Sequence, residues 1–121
     1  MSLVDDTRVD TNAATWTAAC HFDRLVPGFG VAVLLPGGEQ VALFRMVDGE
    51  LFAVGNIDPF GNAAVMSRGL VGDRDGEPTV ASPLLKQVFS LVDGRCLGDE
   101  NVTLPVYDVR QRAGLVQVRS R

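Results

Sequence analysis

Short turn signals divide the second half of the sequence, and part of the first, into brief segments. Pro-Gly, Asp-Gly and Ala-Gly pairs recur at 36–38, 48–49, 75–76, 93–94 and 113–114. The runs between them are rich in Val, Leu and Phe, as in "GVAVLL", "QVALFRM", "QVFSL" and "LVQV". Turns of this kind between β-forming runs are typical of hairpins, and no window of eleven residues shows a helical period. The sequence therefore predicts an all-β domain.

Length and composition predict one such domain with a sizeable core. The chain has 121 residues, of which 46% are hydrophobic, and a chain of this size buries about two-thirds of its unfolded surface. Residues 1–13 are polar and acidic enough to predict a flexible N-terminal tail. The domain is then expected over residues 14–121.

The charge and the hydropathy pattern argue against two classes of partner. The net charge is −4 and no basic run occurs, so we expect no nucleic-acid binding. No stretch approaches the roughly 20 apolar residues of a membrane-spanning helix. The N-terminus lacks the basic and apolar regions of a secretory signal, which predicts a cytoplasmic protein without a membrane partner.

The nucleophilic and metal-binding side chains are few. Cys20, Cys96 and His21 are the only thiols and imidazole, fewer than the four ligands of a structural zinc site. We interpret the cysteines as reduced, partly buried thiols. Cys20 and His21 are neighbours in a predicted strand, so they point to opposite faces and make a poor nucleophile–base pair. The "GFG" at 28–30 is interpreted as a turn into a strand rather than a phosphate loop. The sequence therefore predicts no catalytic, cofactor-binding or metal-binding residue.

Two segments that contain proline, "NIDPFGNAAVMSRG" and "ASPLLK", interrupt the strand pattern and are predicted to be loops. In their order along the chain, and with the final "LPVYDVRQRAGLVQV", they resemble a Rieske-type [2Fe–2S] domain over roughly residues 15–119. The resemblance implies an antiparallel β-sandwich with two long loops at one end, paired over 53–67 and 80–91. In Rieske domains the first loop carries Cys-x-His and the second Cys-x-x-His. Those places fall on Asp58, Phe60, Ser82 and Leu85.

None of these four residues is a Rieske ligand. A Rieske cluster needs two histidines, and the chain has one, at position 21. We therefore expect no cluster in this chain. Phe60 and Leu85 are expected to fill the vacated space with hydrocarbon, while Asp58 and Ser82 form hydrogen bonds with loop amides.

Several short sequence motifs match one branch of the family. They are "GEQVALF" at 38–44, "AVGNIDPF" at 53–60, "SRGLVGD" at 67–73 and "VASPLLKQVFSLVDGRCL" at 80–97. These resemble the cluster-free small subunits of NAD(P)H-dependent assimilatory nitrite reductase, an enzyme that reduces nitrite to ammonium. The resemblance implies a large-subunit partner that carries sirohaem, [4Fe–4S], FAD and the NAD(P)H site. It leaves open whether the small subunit stabilises or gates its partner. The alternative is a free-standing, cluster-free Rieske-like binding module in another redox complex.

The candidate partner surface lies at the predicted loops. Phe60, Leu84 and Leu85 form either a buried plug or an exposed interface patch. Arg68 and Arg74 belong to the charged segment "SRGLVGDRDGEP", which is either a solvated loop or a polar rim of the interface. The single tryptophan, Trp16, is expected in the core.

Overall fold

The computed structural model describes residues 15–121, so the predicted tail over 1–13 lies outside the described residues. In these residues the regular structure is β, apart from two short 3₁₀ turns at Phe22–Arg24 and Met66–Arg68. The strands are, in chain order, β1 (Thr17–His21), β2 (Phe29–Leu34), β3 (Gln40–Arg45), β4 (Leu51–Gly55), β5 (Ile57–Asp58), β6 (Ala63–Ala64), β7 (Leu70–Arg74), β8 (Glu77–Ala81), β9 (Val88–Ser90), β10 (Arg95–Cys96), β11 (Asp99–Thr103), β12 (Val106–Arg112) and β13 (Leu115–Ser120). The prediction of an all-β domain is confirmed. Nothing helical between residues 15 and 121 has the length and apolar character needed to cross a membrane.

Two antiparallel sheets form the body of the domain. One has six strands in the order β1-β13-β12-β4-β3-β2, and the other has five in the order β11-β10-β9-β8-β7. The short hairpin β5–β6 stands apart from both sheets. It follows β4 in the chain, and it begins the first of the two predicted loops.

Two of the predicted turns show why their residue types occur. Asp75 and Gly76 both have positive φ, at 53° and 90°, and they join β7 to β8. Ala113 and Gly114, at 52° and 81°, join β12 to β13 in the same way. Two successive positive φ values match the right-handed twist of the flanking strands, and glycine adopts them without steric cost.

Strand β3 is buried on both faces, and this explains its unbroken apolar run. Ala42 and Phe44 point into a core between the two sheets, together with Val80, Phe89 and Leu104. Val41 and Leu43 point the other way, into a second core that contains Tyr107, Val116 and Val118. Because both faces exclude water, the strand reads "VALF" instead of alternating with polar residues. The first of these cores holds the six-stranded sheet against the five-stranded one, because it contains residues of both.

Most of the charged segment, expected to be either a solvated loop or a polar rim, lies in the hairpin β7–β8. Its strands pair from Leu70 opposite Ala81 to Arg74 opposite Glu77. The Asp75–Gly76 turn makes this pairing possible, and the charged residues occupy its exposed positions. The interruptions between strands are also shorter than predicted, at 59–62 and 82–87, because strand pairing extends into both predicted loops.

Candidate functional site

Two loops lie against each other at one end of the domain. The first, residues 59–62, joins β5 to β6, and the second, residues 82–87, joins β8 to β9. We call them the loop pair. A Cβ atom on Gly61 would lie 2.6 Å from Leu84 Cδ1, so with this Leu84 rotamer the side chain packs directly on the backbone of the first loop. The resemblance placed the two loops together, and the structure does so.

Asp58 organises the first loop from a fully buried position. Its Oδ1 accepts hydrogen bonds from the N–H groups of Phe60 at 2.8 Å and Gly61 at 3.2 Å. Its Oδ2 accepts the hydroxyl hydrogen of Ser82, which is also buried and lies in the second loop. The expected bonds to loop amides are present. The direct bond between the two residues was not expected, and it ties the loops together.

The electrostatic balance at Asp58 favours the ionised carboxylate. Burial by itself raises the pKa of the Asp58 carboxyl group, because a charge loses its hydration. The hydrogen bonds from Ser82, Phe60 and Gly61 outweigh burial and hold the pKa below its ordinary value. The carboxylate is therefore a charged acceptor satisfied by three donors inside the protein.

The second loop is closed on itself. The Ser82 N–H donates to Gln87 O at 2.9 Å, and the Lys86 N–H donates to Ser82 O at 3.1 Å. Ser82 Oγ also accepts the Leu84 N–H at 3.3 Å. Ser82 thus binds its own loop through the backbone and the first loop through its hydroxyl. The resulting arrangement is a rigid platform for the residues at the loop tip.

The apolar residues of the loop pair divide into one inward and two outward side chains. Phe60 is half-buried and packs on Phe89 of the inter-sheet core, with ring centroids 6.2 Å apart. Leu84 is 45% exposed and Leu85 is 61% exposed. The expectation that Leu85 fills vacated space is wrong, because its side chain projects into solvent. Phe60 is the plug, and the two leucines form an exposed patch.

The two arginines of the candidate interface lie in different places. Arg68 is exposed and directly precedes Gly69, which packs against Val80 and Ala81 beside the second loop. Arg74 ends β7 at the Asp75–Gly76 turn, four residues beyond Leu70. Four strand residues span ~13 Å. The structure therefore brings Arg68 towards the loop pair and leaves Arg74 at the other end of its hairpin.

Asn56 is a supporting residue that the sequence reasoning missed. It is buried, and its Oδ1 accepts the Ser67 N–H at 2.7 Å. Its backbone carbonyl accepts the Met66 N–H, and its own N–H donates to Gln40 O, both at 3.0 Å. Asn56 therefore ties the chain just before the first loop and the chain just after it to each other and to β3. The polar residue between "AVG" and "IDPF" was the available signal, since a polar side chain in an apolar run needs partners.

The residues at the loop pair do not fit a [2Fe–2S] cluster. Asp58 and Ser82 use their side-chain oxygens on each other and on loop amides, while Phe60 and Leu85 have no donor atom. Cys96 lies in β10 and Cys20 in β1, both as free thiols. Within residues 15–121, no three His, Cys, Asp or Glu side chains gather closely enough to hold a metal ion. Asp58 and Ser82 instead form a hydrogen bond that holds the two loops together, and we call this pair the clasp.

Comparison with known proteins shows which family has this arrangement. The Rieske-like [2Fe–2S] domain family matches residues 15–119. The nitrite reductase (NADH) small subunit of Salmonella typhimurium is 50% identical over 105 residues, which cover 86% of this chain and 96% of that protein. The crystal structure of an NADH-dependent nitrite reductase small subunit from Mycobacterium tuberculosis superimposes with a TM-score of 0.88 at 56% identity, covering 91% of this chain and 98% of that one.

A third relative carries the same domain inside a longer protein. The nitrite reductase [NAD(P)H] large subunit of Klebsiella oxytoca is 46% identical over 86 residues, which cover 70% of this chain but 9% of that protein. The sequence matches and the shared fold agree with each other. The chain belongs to the Rieske-like [2Fe–2S] domain family, in the branch that contains the small subunits of nitrite reductase (NADH).

Proposed function

We propose that this chain is the small subunit of an NAD(P)H-dependent nitrite reductase and assembles with a large subunit in the cytoplasm. The observation that carries the proposal is the 50% identity to a nitrite reductase (NADH) small subunit along 96% of that protein. A match of this extent leaves no additional domain in that relative to account for a different role. The chain then takes part in the reduction of nitrite to ammonium as one component of the enzyme.

The longer Klebsiella relative supports assembly with a large subunit. There, a segment similar to this chain is part of a polypeptide named as the large subunit. Covalent attachment holds two parts of a complex at high effective concentration. The separate small subunit must obtain the same association through a non-covalent interface.

In this proposal the small subunit contributes binding rather than chemistry. The family resemblance assigns FAD, the [4Fe–4S] centre and sirohaem to the large subunit, which carries electrons from NAD(P)H to nitrite. In this chain the positions that match Rieske ligands are Asp58, Phe60, Ser82 and Leu85, and their contacts make a clasp and a plug. We assign none of them a step in the reaction.

The loop pair is the docking surface that we assign to the large subunit. Leu84 and Leu85 present an exposed apolar patch on loops that internal hydrogen bonds hold in place. A preorganised patch loses little conformational entropy on binding. Arg68 belongs to the rim of this surface. Phe60 supports the surface from the side of the inter-sheet core, where its ring packs on Phe89. Arg74 lies too far along its hairpin to contribute to the same patch.

Co-expression with the large subunit of the same organism tests the proposal. The two chains should co-purify, and the complex should reduce nitrite with NADH or NADPH. The large subunit expressed alone, and the large subunit mixed with a Rieske ferredoxin, serve as controls. Failure of the two subunits to associate at micromolar concentration would reject the proposal and favour a binding module of another redox complex.

A further inference from the structure

The outer face of the β12–β13 hairpin concentrates positive charge in an acidic protein. Asp108, Arg110 and Arg112 alternate along β12 and therefore share one face. The strand register places Arg119 opposite Asp108 and Gln117 opposite Arg110. Arg110, Arg112 and Arg119 thus share this face with a single carboxylate, whereas the whole chain has a net charge of −4. This charge distribution needs an explanation beyond folding.

Trp16 lies on this face and not in the core, contrary to expectation. Two guanidinium groups lie over its ring, with Cζ of Arg110 4.1 Å and Cζ of Arg119 4.3 Å from the ring centroid. Such cation–π contacts hold long side chains in fixed positions.

Three guanidinium groups on this face are anchored through Nε. Arg110 Nε donates to Gln117 Oε1 at 2.6 Å, and Arg119 Nε donates to Asp108 Oδ2 at 3.1 Å. Arg121 Nε donates to Asp108 Oδ1 at 2.8 Å. Their Nη atoms make no hydrogen bond to any other part of residues 15–121. The Nη edge of a guanidinium matches a carboxylate with two parallel hydrogen bonds.

The positive charge of the face is only partly neutralised. Hydrogen bonds from Arg121 and Arg119 lower the pKa of the Asp108 carboxyl group, so it carries one negative charge at neutral pH. Burial, followed by the like charges of Arg112 and Arg119, lowers the pKa of the Arg110 guanidinium. Neighbouring cations therefore still repel one another, which an incoming anion would relieve.

A cavity of about 530 Å³ opens beside the anchored arginines. Its lining includes two guanidinium groups as well as aromatic and aliphatic side chains; among the lining residues are Trp16, Arg119, Arg121, Leu51, Phe52 and Val106. An apolar socket next to guanidinium groups suits a peptide segment that carries carboxylates around one aliphatic or aromatic side chain.

We infer that this arginine–tryptophan face is a second docking surface, which binds an acidic segment of the large subunit. Carboxylates of that segment occupy the Nη edges of Arg110, Arg119 and Arg121, and an apolar side chain enters the cavity. The inference rests on the proposed function for the identity of the partner. It adds a surface that is chemically unlike the apolar patch of the loop pair.

Binding to the large subunit tests the inference with single charge reversals. Arg110→Glu and Arg121→Glu should each raise the Kd by about tenfold or more, because like charges then face each other across the interface. Arg24→Glu is the matched control, since it makes the same change in net charge at an exposed position on the 3₁₀ turn Phe22–Arg24. Melting temperatures of all variants show whether they remain folded. Arg121→Glu should perturb the fold less than Arg110→Glu, because the Arg121 side chain is 57% exposed, whereas Arg110 makes a cation–π contact with Trp16.

A cross-linking experiment reads out the contact directly. The photoreactive residue p-benzoylphenylalanine replaces Arg112 in one protein and Arg24 in the control. On irradiation of the complex, position 112 should cross-link to the large subunit and position 24 should not. Mass spectrometry should place the cross-link in an acidic peptide.

The outcomes separate the inference from the proposed function. If wild type binds and the Arg110 and Arg121 variants bind equally well, the second surface is wrong while the proposed function stands. A cross-link from position 112 into a basic or uncharged region would likewise reject it. If wild type does not bind the large subunit, the proposed function and the inference both fail.

Discussion

The hydroxyl of Ser82 donates a hydrogen bond to the carboxylate of Asp58, 24 residues earlier in the chain. The two residues stand at places where Rieske domains carry thiolates, as the family resemblance aligns them. In those domains an iron atom holds the two loops together. Here a charged hydrogen bond between two buried side chains joins them.

Breaking this bond should destabilise the domain. Asp58→Ala leaves the Ser82 hydroxyl and two loop amides without their acceptor, and Ser82→Ala leaves a buried carboxylate short of a donor. We expect each substitution to reduce the free energy of unfolding by about 1–3 kcal/mol. Denaturant titration of both single variants and the double variant measures the coupling between them. Asp23→Ala, at an exposed position, should change stability by less than about 0.5 kcal/mol. Strictly additive losses would show that the two side chains do not interact.

The contribution of Asp58 should depend on pH in one direction. Its pKa is lower in the folded protein than the value of about 3.9 expected in the unfolded chain. The ionised group therefore stabilises the fold above the unfolded pKa, and this stabilisation is lost as the pH falls through the folded pKa. Asp58→Asn removes the titration, so its stability deficit relative to wild type should shrink on going from about pH 6 to about pH 2. Equal deficits at both ends of the range would contradict the lowered pKa.

The inward and outward residues of the loop pair should respond differently to substitution. Leu85→Glu should leave stability within about 0.5 kcal/mol of wild type, since the side chain is exposed. It should weaken binding to the large subunit by about tenfold or more if it is a central anchor. Phe60→Ala should instead reduce stability by about 2 kcal/mol, because the ring packs on Phe89.

Val47→Glu is the matched control for Leu85→Glu. Val47 is 85% exposed in the turn after β3, at the end of that strand away from Gln40 and Asn56. Its substitution should change neither stability nor affinity. If Leu85→Glu lowers stability but leaves binding unchanged, the apolar patch is not part of the interface.

The purified chain should contain no iron. The donor set at the loop pair has one carboxylate, one hydroxyl and two hydrocarbon side chains, and a Rieske cluster needs two thiolates and two imidazoles. Elemental analysis should find no stoichiometric iron, and the visible spectrum should be flat. Stoichiometric iron in a folded sample would overturn the clasp interpretation.

The all-β class and the hairpin turns could be predicted because their causes are local. Asp75–Gly76 and Ala113–Gly114 lie between β-forming runs and adopt the positive φ values of a tight hairpin turn. The charged segment around Arg74 contains one of these turn signals, yet its charge favours a solvated loop or a polar rim over a pair of strands. In the structure this segment is a hairpin whose charged side chains face solvent. A charged side chain at an exposed strand position costs the fold little free energy.

The sequence by itself determined the elements, the family and the missing cluster ligands, because turn chemistry, motif order and residue counts are properties of the linear chain. Only the tertiary structure decided which distant side chains meet. It paired Asp58 with Ser82, turned Phe60 inward and Leu85 outward, and placed Trp16 against Arg110 and Arg119. The physical reason is that these contacts depend on how two sheets and their loops pack in space. Residues of the same polarity, such as Phe60 and Leu85, therefore differ in their neighbours and in their burial.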